Sequence, residues 1–286
     1  LYRLYGWCHN AFIRHSKTLP VTAVQKNFFR KGKFMKFSIN FDSTPLPDKL
    51  RAELIKNAGF DNVFLWWSRT DGMNFNRVDT VRNANLGIET AHTDFWGINN
   101  IWLDNLEGKE HFDYYLRAIP EAREAGVPTL IIHLSSGNTP PAVNELGLDR
   151  FHRMIACAED NGIILAFENL RIVSYLDTLL ASTDSPYAKF CFDVGHENIY
   201  NGGKGVFEKH SDRIAAFHIH DNHATSDEHL LPFDGNIDWK RIMKRISGCF
   251  DRLPFTVEAY SADHYDPDSF YNLAMERAKA VASLID

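Results

Sequence analysis

Eight short, nearly continuous apolar runs, spaced by longer amphipathic stretches, restrict this chain more than any other feature. They fall at residues 36–41, 61–66, 87–92, 128–133, 163–168, 188–193, 214–219 and 254–259. A strand with one wet face alternates polar and apolar side chains. Runs such as Thr129-Leu-Ile-Ile132 and Ile163-Ile-Leu-Ala-Phe167 do not, so both of their faces are expected to be covered, as in a parallel sheet. Helical patterns near 47–58, 75–84, 108–125, 148–160, 173–182, 205–211, 238–248 and 267–284 follow the runs one by one. Gly59, Gly126 and Gly162 stand where helix C-caps belong. A doubly wound open sheet would collect its ligands at one switch point. Here polar residues finish runs three through eight, which favours an α/β fold of the (β/α)8 TIM barrel type in a single domain.

A chain of 286 residues with 44% hydrophobic content can bury such a core. It carries no apolar run of membrane-spanning length and no signal-peptide pattern, so a cytoplasmic protein with no membrane partner is expected. Cys8, Cys157, Cys191 and Cys249 form no CxxC pair and read as reduced thiols rather than a disulfide framework. Residues 1–34 hold seven basic residues and no acid; without them 24 basic residues face 37 acidic ones, an acidic body that would repel nucleic acid. Met35 directly precedes the first apolar run. We therefore expect residues 1–34 to be a basic extension outside the fold, and 35–286 to be the barrel; a targeting or partner-binding arm is the alternative. The segment Asn201-Gly-Gly-Lys-Gly205 lacks a GxGxxG or Walker pattern and reads as a flexible loop rather than a phosphate cradle.

Nine side chains with metal affinity, His92, His133, Glu168, Asp193, His196, His218, Asp227, His229 and Glu258, recur mostly where an apolar run meets a polar loop. Glu168 ends Ile-Leu-Ala-Phe and Glu258 ends Phe-Thr-Val. A carboxylate closing a buried strand is costly unless a cation or hydrogen bonds compensate it. Two of them, joined by Asp193 and His218, point to coordination of one divalent ion, Mn2+, Mg2+, Co2+ or Zn2+, by oxygen and nitrogen without sulfur. His196, in Asp193-Val-Gly-His196, is expected to contact substrate or metal, with Gly195 relieving the backbone of a tight turn. Asp221, three residues after His218, is expected to orient it. Trp66 and Trp67, with Phe95 and Trp96 in the loop after His92, offer aromatic surface of the kind sugars stack on. His152, His210, His220, His223 and His264 are expected to be solvated or structural.

The ordered set Ala-Phe-Glu168-Asn169-Leu, Phe-Asp193-Val-Gly-His196, Phe-His218-Ile-His220-Asp221-Asn222, Asp227-Glu-His229 with Gly235-Asn-Ile-Asp-Trp239, and Val-Glu258 resembles the xylose isomerase-like TIM barrels. These include sugar phosphate isomerases and epimerases and the endonuclease IV group, and the resemblance spans about residues 36–284. In the isomerase branch it implies that Glu168, Asp193, His218 and Glu258 hold one metal and that Glu168 and Glu258 also move protons. His196, Trp66, Phe95 and Trp96 would then meet substrate. Ser174 and Ala224 stand where ketose 3-epimerases carry a glutamate and an arginine, which leaves the sugar open. In the endonuclease IV branch the resemblance implies three zincs. His92, His133 and Glu168 would hold one, Asp193, His218 and Glu258 another, and His196, Asp227 and His229 the third, acting on abasic DNA. The acidic body and the aromatic loop favour a small carbohydrate substrate. A barrel that binds sugar or metal without catalysis is a third reading, and a homo-oligomer is compatible with the sequence.

Overall fold

The computed structural model describes residues 35–69, 72–202, 205–262 and 264–284. The basic extension expected at 1–34 lies outside the described residues. All eight expected strands form: β1 Phe37–Asn40, β2 Asn62–Trp67, β3 Gly87–Thr93, β4 Thr129–Ile132, β5 Ile164–Glu168, β6 Ala188–Asp193, β7 Ile214–His218 and β8 Phe255–Val257. Every pairing is parallel, and the strands follow the order β7, β6, β5, β4, β3, β2, β1, β8. The ring closes just past β7, where Ile219 bridges Val257; Ile219 N–H donates to Thr256 O (2.9 Å) and Glu258 N–H to Ile219 O (3.0 Å).

Barrel helices follow each strand: α1 Asp48–Ala58, α2 Met73–Asn83, α3 Leu106–Glu124, α4 Glu145–Asn161, α5 Ser174–Ala181, α6 Val206–His210, α7 Trp239–Ile246 and α8 Phe270–Ala282. Their starts carry the expected chemistry. Asn105, Asn144 and Asp238 cap α3, α4 and α7 by accepting from Gly108, Gly147 and Arg241 N–H. Gly59 and Gly162 take left-handed backbone at the ends of α1 and α4, a conformation that costs glycine nothing.

Side chains alternate in and out along each strand. Outward residues such as Ile39, Leu65, Leu130, Leu165, Phe190, Phe217 and Val257 join the helices in one large apolar core. Inward residues split by height. The upper positions are the polar strand ends, and beneath part of them Ile131, Ala166, Cys191 and Ala216 make a small apolar plug. One expectation fails on this alternation: Trp67 points outward, is buried, and donates its indole N–H to Glu121 (3.4 Å), so only Trp66 reaches the barrel mouth. Among the described residues no helix is long and apolar enough to cross a membrane.

Candidate metal centre

Parallel strands deliver their C-terminal ends to one rim, and that rim collects all nine expected ligands. His92 comes from β3, Glu168 and Asp193 are the last residues of β5 and β6, and His218 ends β7. His133 and Glu258 follow β4 and β8 directly, His196 closes the helical turn Val194–His196, and Asp227 and His229 come from the loop after β7.

Glu168 is the hub. Its Oε2 lies 2.8 Å from His133 Nε2 and 3.4 Å from His92 Nε2, and its Oε1 lies 3.0 Å from His218 Nδ1 and 3.5 Å from His196 Nδ1. On the far side of His218, Glu258 Oε2 is also 3.0 Å from Nδ1, and Asp193 Oδ2 is 3.9 Å away. Asp227 faces His196 Nε2 at 3.0 Å and His229 Nε2 at 3.5 Å. Donor atoms lie within 4.8 Å of one another in the set Glu168, Asp193, His218 and Glu258 and in the set His92, His133 and Glu168.

Sequence reasoning missed His220. It is fully buried, its Nε2 lies 3.2 Å from Asp193 Oδ1, and its ring stacks on His229 at 4.1 Å between centroids. It joins two further donor groups, one with Asp193 and His196 and one with His229 and Glu258. The signal was present in the spacing: residues 218 and 220 lie on the same side of an extended chain. Gly195 serves this histidine rather than the turn, because a Cβ there would collide with the His220 ring. Asp221 was misread. Its carboxylate accepts from the N–H groups of Asn222, Phe233 and Ile237 and from the Trp239 indole, so it organises the loop after β7 and does not touch His218. His210, His152 and His223 pair with Asp177, Ser182 and Glu228 away from the cluster, as expected of structural or surface histidines.

Three of the rim histidines are aimed by the main chain. Nδ1–H of His92 donates to Thr93 O (2.9 Å), that of His196 to Asn169 O (3.0 Å) and that of His229 to Glu258 O (2.8 Å). A carbonyl can only accept, so each Nδ1 keeps its proton and Nε2 is the nitrogen turned toward the cluster, open to a metal once it carries no proton of its own. Asn169 adds a clamp between β5 and β6, accepting from Asp193 N–H (2.8 Å) and donating to Asp193 O (2.9 Å).

The electrostatics fit a cation. Burial opposes charge on Glu168 and Glu258, yet His218 with His133 holds Glu168 well below the usual carboxylate range, and His218 with His229 holds Glu258 at about 2. Burial also opposes charge on the rings, but Asp193 and Asp227 lift His196 to about 10, and Asp227 and Glu258 lift His229 to about 9. Three buried carboxylates thus crowd around the same histidines, and Asp193 Oδ2 and Glu258 Oε2 make no hydrogen bond of good geometry among the described residues. Such a donor set would be neutralised by a bound metal, and its all-oxygen-and-nitrogen chemistry suits Zn2+, Mn2+, Co2+ or Mg2+. Beside the His92 and His133 side stands an aromatic wall: Trp66 lies 4.4 Å from His92, Phe95 stacks on His133 at 4.2 Å, and Trp96, 79% exposed, stacks on Phe95.

Comparison with known proteins bears on this arrangement. The family described as xylose isomerase-like TIM barrel matches residues 52–281. A protein of Sinorhizobium fredii named y4fM, itself uncharacterized, is 40% identical over 107 residues, 36% of this chain; the chain covers 33% of that relative's length. Among solved structures, the 3-keto-D-glucoside 4-epimerase YcjR of E. coli superposes with a TM-score of 0.66 at 16% identity, over 87% of this chain and all of that one. A D-tagatose 3-epimerase-like protein gives 0.70 at 18% identity over 88% and 98% of the two chains. The D-psicose 3-epimerase of Clostridium cellulolyticum gives 0.67 at 14% identity, again over 88% and 98%. At these identities the likeness is one of fold.

Proposed function

Since the chain belongs to the xylose isomerase-like TIM barrel family, we propose that it is a divalent-metal-dependent isomerase or epimerase of a small sugar, polyol or sugar phosphate. One observation carries the reading: two buried glutamates from separate strands, Glu168 and Glu258, flank the same His218 nitrogen at 3.0 Å each. Glu168, Asp193, His218 and Glu258 would hold the ion, and a bound divalent cation would acidify the carbon-bound proton beside a substrate carbonyl. One glutamate then takes that proton, and the other returns it to the opposite face or to the neighbouring carbon. His196 holds a substrate oxygen, and Trp66, Phe95 and Trp96 cover the apolar face of the sugar ring. The sugar epimerases named above share this barrel, which supports the reading. Incubation with a panel of ketoses and ketose phosphates in D2O is the test. Deuterium appearing at a carbon beside the carbonyl supports it, and no uptake across the panel with any of the four metals refutes it.

The full set of nine ligands favours a second reading, a three-zinc phosphodiesterase. His92 and His133 on one side and His196, Asp227 and His229 on the other extend the central four-residue set through the shared Glu168 and Asp193. Three tightly held zincs per chain together with nicking of an abasic duplex would establish that activity in place of the first. The acidic body, without a stripe of lysines and arginines to track phosphates, weighs against it.

A further inference from the structure

His218 is not aimed by the main chain as His92, His196 and His229 are. Its Nδ1 faces Glu168 and Glu258, but no main-chain carbonyl takes its other nitrogen, and Nε2 is buried without a hydrogen-bond partner among the described residues. Cys191 lies beside it, but burial pushes that thiol up to about 12, so it stays neutral and is a weak acceptor. A metal-ligating imidazole is ordinarily held by an acceptor on its far nitrogen.

The layer beneath supplies one. Thr90 lies two residues before His92, and Thr256 two before Glu258, so both point inward one step below the ligands. Between Val63 and Phe64 the register of β2 against β3 slips by one residue: Val63 pairs with Ile88 and Phe64 with Thr90, which leaves Glu89 as the extra residue of a bulge. The bulge sends Glu89 across the barrel from β3 to β8, where its Oε2 accepts from Thr256 Oγ1 at 2.7 Å. Glu89 Oε1 and Thr90 Oγ1 are both shut off from solvent and unpartnered among the described residues. Phe64, the pairing partner of Thr90, stacks on His218 at 5.1 Å between centroids. Burial lifts the Glu89 carboxyl to about 7 against the pull of Thr256, Ser38 and His218, and Thr256 O accepts from the N–H of Ile219, the residue after His218, at 2.9 Å, which sets the Glu89 carboxyl at the end of β7. Buried polar atoms left unpaired inside a barrel are the setting in which an internal water is held.

Resting on the metal-centre reading, we propose that Glu89 is a positioning residue: through one internal water shared with Thr90 it accepts the Nε2 proton of His218 and keeps Nδ1 turned to the metal. The barrel interior is ordinarily filled with branched apolar side chains. A carboxylate bulged into it beneath the ligands belongs to the centre above rather than to packing.

Glu89→Gln in the full chain tests this, because glutamine keeps the shape and the Thr256 contact but is a poorer acceptor. Two readouts are taken: the His218 Nε2–H resonance in 15N-labelled protein, and Zn2+ affinity by chelator competition. The expected result is an upfield shift of that resonance and roughly 10–100-fold weaker Zn2+ binding. Thr90→Val should move both in the same direction by less, and it carries the test if the glutamine variant does not fold. An unchanged resonance and affinity in a folded Glu89→Gln protein overturns the proposal, as does a lowered melting temperature alone, the mark of a packing role. Neither readout uses a sugar, so failure of the isomerase reading and failure of this one are separate results.

Discussion

The two flanks of the cluster use the same residue types and hold them in opposite states. On the β3 and β4 flank, His92 and His133 share the single carboxylate Glu168; burial wins, and His133 falls to about 4. On the β7 flank, His196 and His229 sit among Asp193, Asp227 and Glu258; burial loses, and the rings rise to about 10 and about 9. The difference is a matter of how many carboxylates each imidazole meets, because one buried acid does not offset the desolvation of a charged ring and two or three do. A metal entering the first flank finds the His133 nitrogen neutral and ready. One entering the second must first displace protons.

The widest effect comes from removing the carboxylates on which both flanks converge. Glu168→Gln or Glu258→Gln should lower turnover by about 10²–10⁴-fold with an unchanged circular dichroism spectrum; near-normal rates in both would break the two-glutamate mechanism. Next is proton release. Calorimetry of Zn2+ binding at pH 7 in two buffers of different ionisation enthalpy should show protons expelled, and affinity on the β7 flank should fall about tenfold for each unit by which pH is lowered, per proton displaced. His196→Ala should reduce the release and His133→Ala should not, and equal release in both variants would erase the contrast. Asp227→Asn should make the flanks alike, with His196 and His229 titrating lower in an NMR pH series, since their shared carboxylate is gone.

A smaller effect is expected on stability of the metal-free protein. His229 is raised from 6.5 to about 9, so its contribution is complete below pH 6.5 and disappears as pH rises through 9. Glu258 is lowered from 4.5 to about 2, so its contribution is complete above pH 4.5 and disappears as pH falls toward 2. These two groups together favour the window between pH 4.5 and 6.5, each by no more than about 3.5 kcal/mol, and a melting-temperature series should peak there. Saturating Zn2+ should move the peak upward in pH. Least of all, Trp96→Ala, at a side chain 79% exposed, should change stability by less than about 0.5 kcal/mol while raising KM.

The strands were legible because each is an unbroken apolar run, and most of the candidate ligands because they are polar residues at such a run's end. Helix ends were less so. Helix α2 begins at Met73, not 75, because Gly72 adopts left-handed backbone just before it, and α8 begins at Phe270, not 267. What escaped depends on neighbours distant in sequence. His220 acquires its place from Asp193 and His229, Asp221 from a loop that folds back over it, and Glu89 from a one-residue slip against β2 that no local pattern announces.

Gly195 and His220 have a consequence for how this mouth can change. With main chain pressed against that imidazole, position 195 admits no larger residue while His220 keeps its place. The opposite side, around Phe95 and the exposed indole of Trp96, is the more open one, so under the proposed function selectivity would be altered by rewriting the loop after β3 while the histidine cluster of the β7 side stays as it is.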